Sequence, residues 1–200
     1  MSFPLWLTLH IVIGWPIGIL VGNFGEWAIH RNILHGRGKK KGNFFNFHFY
    51  DHHAQARKNG MIDSDYQTGW LGGGWNPRTK EACSLLLGCI PWVALLPFVP
   101  GFAAAAIYCN WNYYWVHKKA HLDPEWARVH LPWHYDHHMG PDQDANWCVT
   151  RPWFDILFGT RQKFVGTDAE TDSRARATRR NAPAAMEAGM QQAGEAAPTA

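Results

Sequence analysis

Residues 82–121 read ACSLLLGCIPWVALLPFVPGFAAAAIYCNWNYYWVHKKAH, and this stretch decides the fold. Residues 82–117 contain no Asp, Glu, Lys or Arg. One continuous helix of about 36 residues would be about 54 Å long, too long for one crossing of a bilayer core about 30 Å thick. Pro97, Pro100 and Gly101 lie near the middle, where a helix is expected to end and turn. The stretch therefore predicts a tight or partly re-entrant helical hairpin that ends on a pair of histidines.

A second uncharged stretch covers residues 1–25. Its segment PLWLTLHIVIGWPIGILVG has about the length of one membrane crossing, which takes roughly 20 residues. The segment lacks the basic n-region and the cleavage site of a signal peptide, so we interpret it as a membrane helix. Every Lys and Arg follows this helix and lies outside the hairpin. Because basic residues mark the cytoplasmic side, the C-terminus is expected in the cytoplasm and the N-terminus on the opposite side.

Eleven of the twelve histidines fall in four short groups. In chain order these groups are His30 and His35; His48, His52 and His53; His117 and His121; and His130, His134, His137 and His138. In the predicted topology all four groups lie at the cytoplasmic face of the bilayer. A single pair at such spacing is usually an ordinary surface or core feature, but four groups on one side indicate a shared site. His10 is isolated in the first span and is interpreted as structural.

The spacing within the groups carries geometric information. Residues three and four apart share a face of an α-helix. The two members of the third group can therefore point at one location, as can the last three members of the fourth. In the second group His48 and His52 are expected to point together, with His53 turned aside. His30 and His35 are five apart, about 140° around an α-helix, so they converge only if the helix ends or distorts there.

The residue types indicate a dinuclear metal site. Imidazole is a good ligand for iron, zinc and copper, and ten imidazoles can hold two ions with about five each. Soluble di-iron sites use carboxylates and Glu-x-x-His, which this chain lacks. The absence of HExxH argues against a zinc protease. A non-catalytic metal transporter or buffer stays open, although its ligands would be expected near the bilayer midplane, where His10 alone falls.

The series HX4H, HX3HH, HX3H and HX2HH resembles that of the fatty acid hydroxylase and sterol desaturase superfamily, and carotenoid hydroxylases carry a similar series. Residues 146–160, NWCVTRPWFDILFGT, resemble the family's stretch ending in Trp-Asp-x-Phe-Gly-Thr. The resemblance covers about residues 20–162. It implies two irons, which zinc could replace in purified protein, dioxygen as co-substrate, and a separate electron donor of the ferredoxin, cytochrome b5 or reductase type. The implied metal ligands are His30, His35, His48, His52, His53, His117, His121, His134, His137 and His138.

Ligand imidazoles usually donate their other N–H to a carboxylate or a carbonyl. Asp51 and Asp136 each precede a His pair and are candidates for this function, with a solvated loop position as the alternative. His130 and Asn146 complete the candidates, and His130 could instead face the substrate or bind metal. Trp70, Trp75, Trp133 and Trp147 are interpreted as interfacial anchors, or alternatively as the walls of an apolar entrance.

Composition bounds the remainder of the chain. Residues 166–200 are rich in Ala, Arg, Glu and Gln and lack aromatic residues, which predicts a disordered tail after a single domain over residues 1–165. The formal charge of +3 is mild, and no basic face interleaved with aromatic residues indicates nucleic-acid binding. The four cysteines form no CxxC pair and are expected to be structural thiols.

These observations predict an all-α protein with integral membrane helices, one span plus a hairpin, and a cytoplasmic histidine-rich helical cap. The function that the resemblance implies is that of a di-iron oxygenase, expected in the inner, cytoplasmic membrane. It would hydroxylate an unactivated C–H bond of a lipid, in the first place a fatty acyl chain, with no catalytic residues beyond the metal ligands. A lipid or sterol desaturase with the same metal site and a non-catalytic membrane metal-binding or transport protein are the alternatives.

Overall fold

A computed structural model of the chain describes residues 3–69 and 73–179. The described residues form helices and turns without any strand, which confirms the all-α prediction. Short stretches of π-helix or 3-10 helix separate some of the α-helices. The α-helices are α1 Phe3–Leu9, α2 Trp15–Ile29, α3 Ala54–Lys58, α4 Pro77–Leu95, α5 Pro100–Leu122, α6 Pro124–His130, α7 Pro132–Met139 and α8 Trp153–Leu157.

The chain divides into two compact units after Lys163. The first unit contains α1 to α8 and all the histidine groups. In the second unit, residues 168–179 are helical, and the Glu170 side chain accepts from the backbone N–H of Gly166 at 2.8 Å. Residues 180–200 lie outside the described part, so the disorder of the tail stays a prediction. Trp70 also lies outside it.

The N-terminal helix continues without a break from α1 through α2. Two stretches of π-helix, His10–Gly14 and His30–Arg37, interrupt the α-helical winding. Phe3–Arg37 is the one helix in the described part that is long and apolar enough to cross a membrane. Its apolar side chains, among them Leu5, Ile11 and Leu20, are largely exposed, as they would be against lipid.

Helices α4 and α5 form the predicted hairpin, with the turn at residues 96–99. Asn76 caps α4 by accepting from the N–H of Thr79 at 2.9 Å, and Pro77 takes the first helical position, where no N–H is needed. Pro100 begins α5 in the same way. By hydropathy and length neither arm qualifies as a membrane span, so their crossing of the bilayer stays a prediction.

Small residues allow α2 and α5 to pack at very short distance. Gly14, Gly18 and Gly22 recur every fourth residue and meet Phe102, Ala105 and Cys109 of α5. A Cβ on Gly18 would lie 2.6 Å from the carbonyl oxygen of Phe102, and a Cβ on Gly22 would lie 2.5 Å from the sulfur of Cys109. This small-xxx-small pattern is typical of helix pairs in membranes, where close backbone approach drives association. This packing fixes the distance between the two helices that lead to the first and third histidine groups.

The short helices α6 and α7 follow α5, and an irregular segment over residues 140–152 returns to α2. Glu26 holds this segment on α2, because its carboxylate accepts from the backbone N–H groups of Val149 and Thr150, the latter at 2.7 Å. Trp27, Trp147, Cys148 and Phe154 form a buried cluster at the same junction. The predicted cap, which contains α6 to α8, therefore contacts the C-terminal end of α2. The side of the membrane on which the cap lies stays a prediction.

Candidate metal centre

All ten histidines predicted as ligands are buried, each with no more than 2% of its surface exposed. Nine of them form two clusters within which the potential ligand atoms all lie within 4.8 Å of one another. We call the clusters group A and group B. Group A contains His30, His35, His48, His53 and His137, and group B contains His52, His117, His121 and His138. The tenth, His134, lies beside group B, with its Nε2 3.3 Å from that of His121.

Widened winding explains how residues five apart reach one site. His30 and His35 begin and nearly end the π-helix His30–Arg37, whose i→i+5 hydrogen bonds return residues five apart to the same side. The distortion that their spacing requires is therefore present. The second histidine group lies on another π-helix, Phe47–His53, so His48 is aligned with His53. The prediction that His48 pairs with His52 was wrong, because that prediction assumed α-helical winding.

The fourth histidine group also divides between the two clusters. Helix α7 places His134 over His138, one α-helical turn away, with ring centroids 4.6 Å apart. His137 points toward group A, where its Nε2 lies 3.1 Å from that of His53. The prediction that His134, His137 and His138 converge on one point was therefore wrong in part. The third group behaves as expected, since Nε2 of His117 and His121 are 3.2 Å apart.

The inward nitrogens have the arrangement of ligands around a cation. In His121, Nδ1 must be the donor, since its partner is the carbonyl oxygen of Met61 at 2.8 Å, and in His117 Nδ1 faces a carboxylate oxygen of Glu81 at 2.9 Å. Burial lowers the pKa of His121 well below its usual value, so its ring is neutral and its Nε2 carries a lone pair. Two lone pairs facing each other at 3.2 Å repel unless a cation lies between them.

Distances and unpaired atoms fit metal ions as well. Metal–nitrogen bonds of about 2.0–2.1 Å place two ligands at right angles roughly 3 Å apart. The inward Nε2 pairs, at 2.9 Å for His30 and His48 and 3.1 Å for His53 and His137, match this spacing. Nε2 of His52 and both ring nitrogens of His138 are buried without a hydrogen-bond partner. Such atoms are costly to bury, and metal coordination at each cluster would satisfy those that face it.

Carboxylates and a phenol hold the outer nitrogens of group B. Nδ1 of His52 donates to Asp63 Oδ2 at 2.8 Å, and the Asp63 side chain is fully buried. Burial alone would raise the pKa of Asp63, but the hydrogen bond from His52 outweighs it and holds that pKa below its ordinary value. The hydroxyl of Tyr66 lies 3.0 Å from Nδ1 of His117 and also donates to Glu81. Asp63, Tyr66 and Glu81 were not found from the sequence.

Backbone carbonyls hold the outer nitrogens of group A. Nδ1 of His30 donates to the carbonyl of Trp147 at 2.6 Å, and Nδ1 of His137 donates to that of Ala145 at 2.7 Å. Burial lowers the pKa of His137 to about 3. Asp155 holds the backbone that carries these carbonyls, because its carboxylate accepts from the N–H groups of Trp147 and Cys148, both at 2.8 Å.

The four residues predicted as hydrogen-bond partners of the ligands differ in their burial and in their contacts. Asn146 lies between the two carbonyls that accept from group A, in a left-handed conformation with φ of 58°, and its side chain holds the loop to the backbone of Gln162. Asp136 is buried next to two ligand candidates, and it pairs with Arg161 at 2.6 Å. Asp51 is exposed, and the carboxylate that holds His52 is Asp63 instead. His130 is exposed and stacks on Trp126, away from both groups.

The tryptophans interpreted as interfacial anchors also differ in how far they are exposed. Trp75 is exposed and Trp133 is half-buried, with its indole N–H donated to the carbonyl of Val149 at 2.7 Å. Trp147 is buried, and its ring centroid lies 4.9 Å from that of His35. Trp147 is therefore part of the wall around group A rather than an anchor in the interface.

An apolar cavity of about 360 Å³ lies between α2, α4 and α5. Its wall is mainly aliphatic and aromatic, with Phe24, Leu85 and Trp92 among the lining residues. His30 and His48 of group A also line it, so an apolar chain in the cavity would lie against one of the two clusters. Ligand pockets of this kind, largely apolar with few polar groups, commonly start at about 300 Å³.

The comparisons with known proteins give one match. The family model described as fatty acid hydroxylase matches residues 15–160, which include all ten histidines predicted as ligands and the whole of α2 through α8. No curated protein and no solved structure matches the chain. Because the match extends over most of the chain, the protein belongs to the fatty acid hydroxylase family, within the fatty acid hydroxylase and sterol desaturase superfamily.

Proposed function

We propose that this protein is a membrane-bound di-iron oxygenase that hydroxylates an unactivated C–H bond of a lipid acyl chain. One oxygen atom of O2 would enter the C–H bond, and the other would leave as water with two protons and two electrons from a separate donor. A donor of the ferredoxin, cytochrome b5 or reductase type fits this requirement. The observation that carries the proposal is the apolar cavity bordered by two histidines of a buried imidazole cluster.

The ten histidines would hold the two ions, with His134 completing group B. Bound iron supplies the activation of dioxygen, which side chains alone do not perform. Outer hydrogen bonds fix some of the rings in the tautomer that leaves Nε2 free, as the Trp147 carbonyl does for His30 and Asp63 does for His52. Zinc in a purified sample would be compatible with this set, because metal occupancy follows availability as well as ligand type.

The cavity would bind and orient the substrate. Its apolar wall excludes water and favours a hydrocarbon chain over a polar one, because burial of apolar surface is worth about 25 cal/mol per Å². His30 and His48 mark the part of the cavity that is nearest to group A. A methylene group of the chain held there would be the one oxidised, whereas the remainder of the cavity wall would set its position along the chain.

The exposed apolar surface of Phe3–Arg37 supports insertion into a membrane. We place the histidine clusters and the C-terminus on the cytoplasmic side of the inner membrane, because the basic residues follow the first helix. A lipid substrate could then reach the cavity from the bilayer, and a soluble electron donor could reach the cap.

The experiment is lipid mass spectrometry on membranes that contain the protein, an electron-donor system and ¹⁸O2. We expect a lipid pool that gains one labelled oxygen atom in the wild type and no such product in the His137→Ala variant. The matched control is His130→Ala, which removes an exposed histidine outside both clusters and should leave product formation near wild type. A product that loses two hydrogens without gaining label would instead identify a desaturase. Absence of any oxidised lipid from iron-loaded wild type with several donor systems would refute the proposal.

A further inference from the structure

The two histidine clusters differ in the charge of the groups that hold their outer nitrogens. In group B, two of these groups are buried carboxylates. Asp63 accepts from His52 at 2.8 Å and is fully buried, and Glu81 lies 2.9 Å from Nδ1 of His117 with only 9% of its surface exposed. Each carboxylate is therefore one imidazole ring away from the inward nitrogens of this cluster.

In group A the corresponding groups are neutral or screened. His30 and His137 donate to backbone carbonyls, and the side-chain amide of Gln143 lies 3.0 Å from Nδ1 of His53. One carboxylate, Asp144, approaches His35 at 3.4 Å. It is 53% exposed and forms a salt bridge with Lys39, so both solvent and a cation screen its charge.

We propose that the two metal positions are unequal, and that the carboxylates of Asp63 and Glu81 make group B the tighter position, which fills first. This inference rests on the proposed function for the presence of two ions. It assigns to Asp63 and Glu81 the role of positioning residues that act through His52 and His117. Group A, which borders the apolar cavity, is then the weaker position that fills second.

The physical reason is the effect of a carboxylate behind a ligand imidazole. A carboxylate that accepts the outer N–H makes the inward nitrogen more basic and adds a negative charge near the cation. A carbonyl fixes the ring equally well but adds no net charge. Loss of such an outer partner typically costs about 10–100-fold in metal affinity or activity. A difference of this size between the clusters is enough to separate their loading into two steps.

The test is an anaerobic titration of the metal-free, full-length protein in detergent micelles with Co²⁺. Absorption of the bound ion reports its surroundings, and equilibrium dialysis counts the ions. His137→Ala and His138→Ala each remove a ligand from one cluster only, so they supply reference spectra for an intact group B and an intact group A. In the wild type we expect two steps, of which the first has the spectrum of the His137→Ala variant.

Asp63→Asn should weaken the first step about 10–100-fold and leave the second unchanged. The matched control is Asp51→Asn, the same substitution at an exposed aspartate directly before His52, which should leave both steps unchanged. Glu81→Gln is the second test, because it keeps an acceptor for Tyr66 and replaces the carboxylate by an amide, and it should act in the same direction.

Two ions that bind with one shared affinity, or a first step with the spectrum of the His138→Ala variant, would overturn the inference and leave the proposed function standing. The inference is overturned equally if neither Asp63→Asn nor Glu81→Gln weakens the first step. Binding of a single ion under metal-replete conditions would overturn the dinuclear site itself, and the proposed function with it.

Discussion

Replacing Gly18 by Ala is expected to destabilise the protein, although alanine is the better helix former. The new Cβ would lie 2.6 Å from the carbonyl oxygen of Phe102 and 2.7 Å from the Cβ of Ala105, whereas carbon contacts are normally about 3.5–4.0 Å. Both opposing atoms belong to the rigid part of α5, so the two helices must separate by about 1 Å.

Overpacking of this kind costs about 1–3 kcal/mol, and the gain in helix propensity returns about 0.5–1 kcal/mol. The expected net loss is about 0.5–2 kcal/mol, or about 1–8 °C in Tm for a chain of this length. The same substitution at Gly25, seven residues along α2, meets no atom within 4 Å and should therefore be neutral or stabilising.

The assay is thermal unfolding in detergent micelles, followed by circular dichroism at one fixed scan rate for wild type, Gly18→Ala and Gly25→Ala. Metal content of the folded proteins should be measured in parallel, because separation of α2 from α5 also displaces His30 from His117. A Gly18→Ala variant that melts at or above the wild-type temperature would show that α2 and α5 do not pack as described.

Three further results are expected. Anaerobically purified protein should carry close to two irons per chain, and His137→Ala close to one, by elemental analysis; a reproducible single ion in the wild type would contradict this. Reporter fusions at residue 2 and after residue 165 should lie on opposite sides of the membrane, with the latter cytoplasmic; equal signals would exclude an odd number of crossings. Deleting residues 170–200 should leave metal content near wild type, because the second unit contains none of the clustered histidines; loss of metal on truncation would show that the tail supports the site.

The ten clustered histidines could be predicted from the sequence, whereas their division between two clusters could not. Spacing in four groups indicated a shared site, and the resemblance to the family's histidine series implied which ten of the eleven grouped histidines belong to it. The direction of each ring depends on whether a segment winds as an α-helix or a π-helix. At Phe47–His53 the winding is that of a π-helix, and local helix propensity does not distinguish the two windings.

The groups that hold the outer nitrogens were mostly beyond sequence reasoning for two different reasons. Trp147, Ala145 and Met61 contribute backbone carbonyls, and every residue has a carbonyl. Asp63 contributes a side chain, but its one local signal is that it caps the short helix Ser64–Gln67. The recurrence of glycine at every fourth residue of α2, by contrast, was visible in the sequence and would have predicted the close contact with α5.

The division of neighbouring histidines has a mechanical consequence. His52 belongs to group B and His53 to group A, and the same split occurs between His138 and His137. Two separate chain segments thus each bridge the clusters with a single peptide unit, whose Cα atoms are about 3.8 Å apart. A peptide unit cannot stretch, so each of these two pairs keeps its Cα separation if the surrounding helices shift. Covalent geometry therefore limits how far the two clusters can move apart.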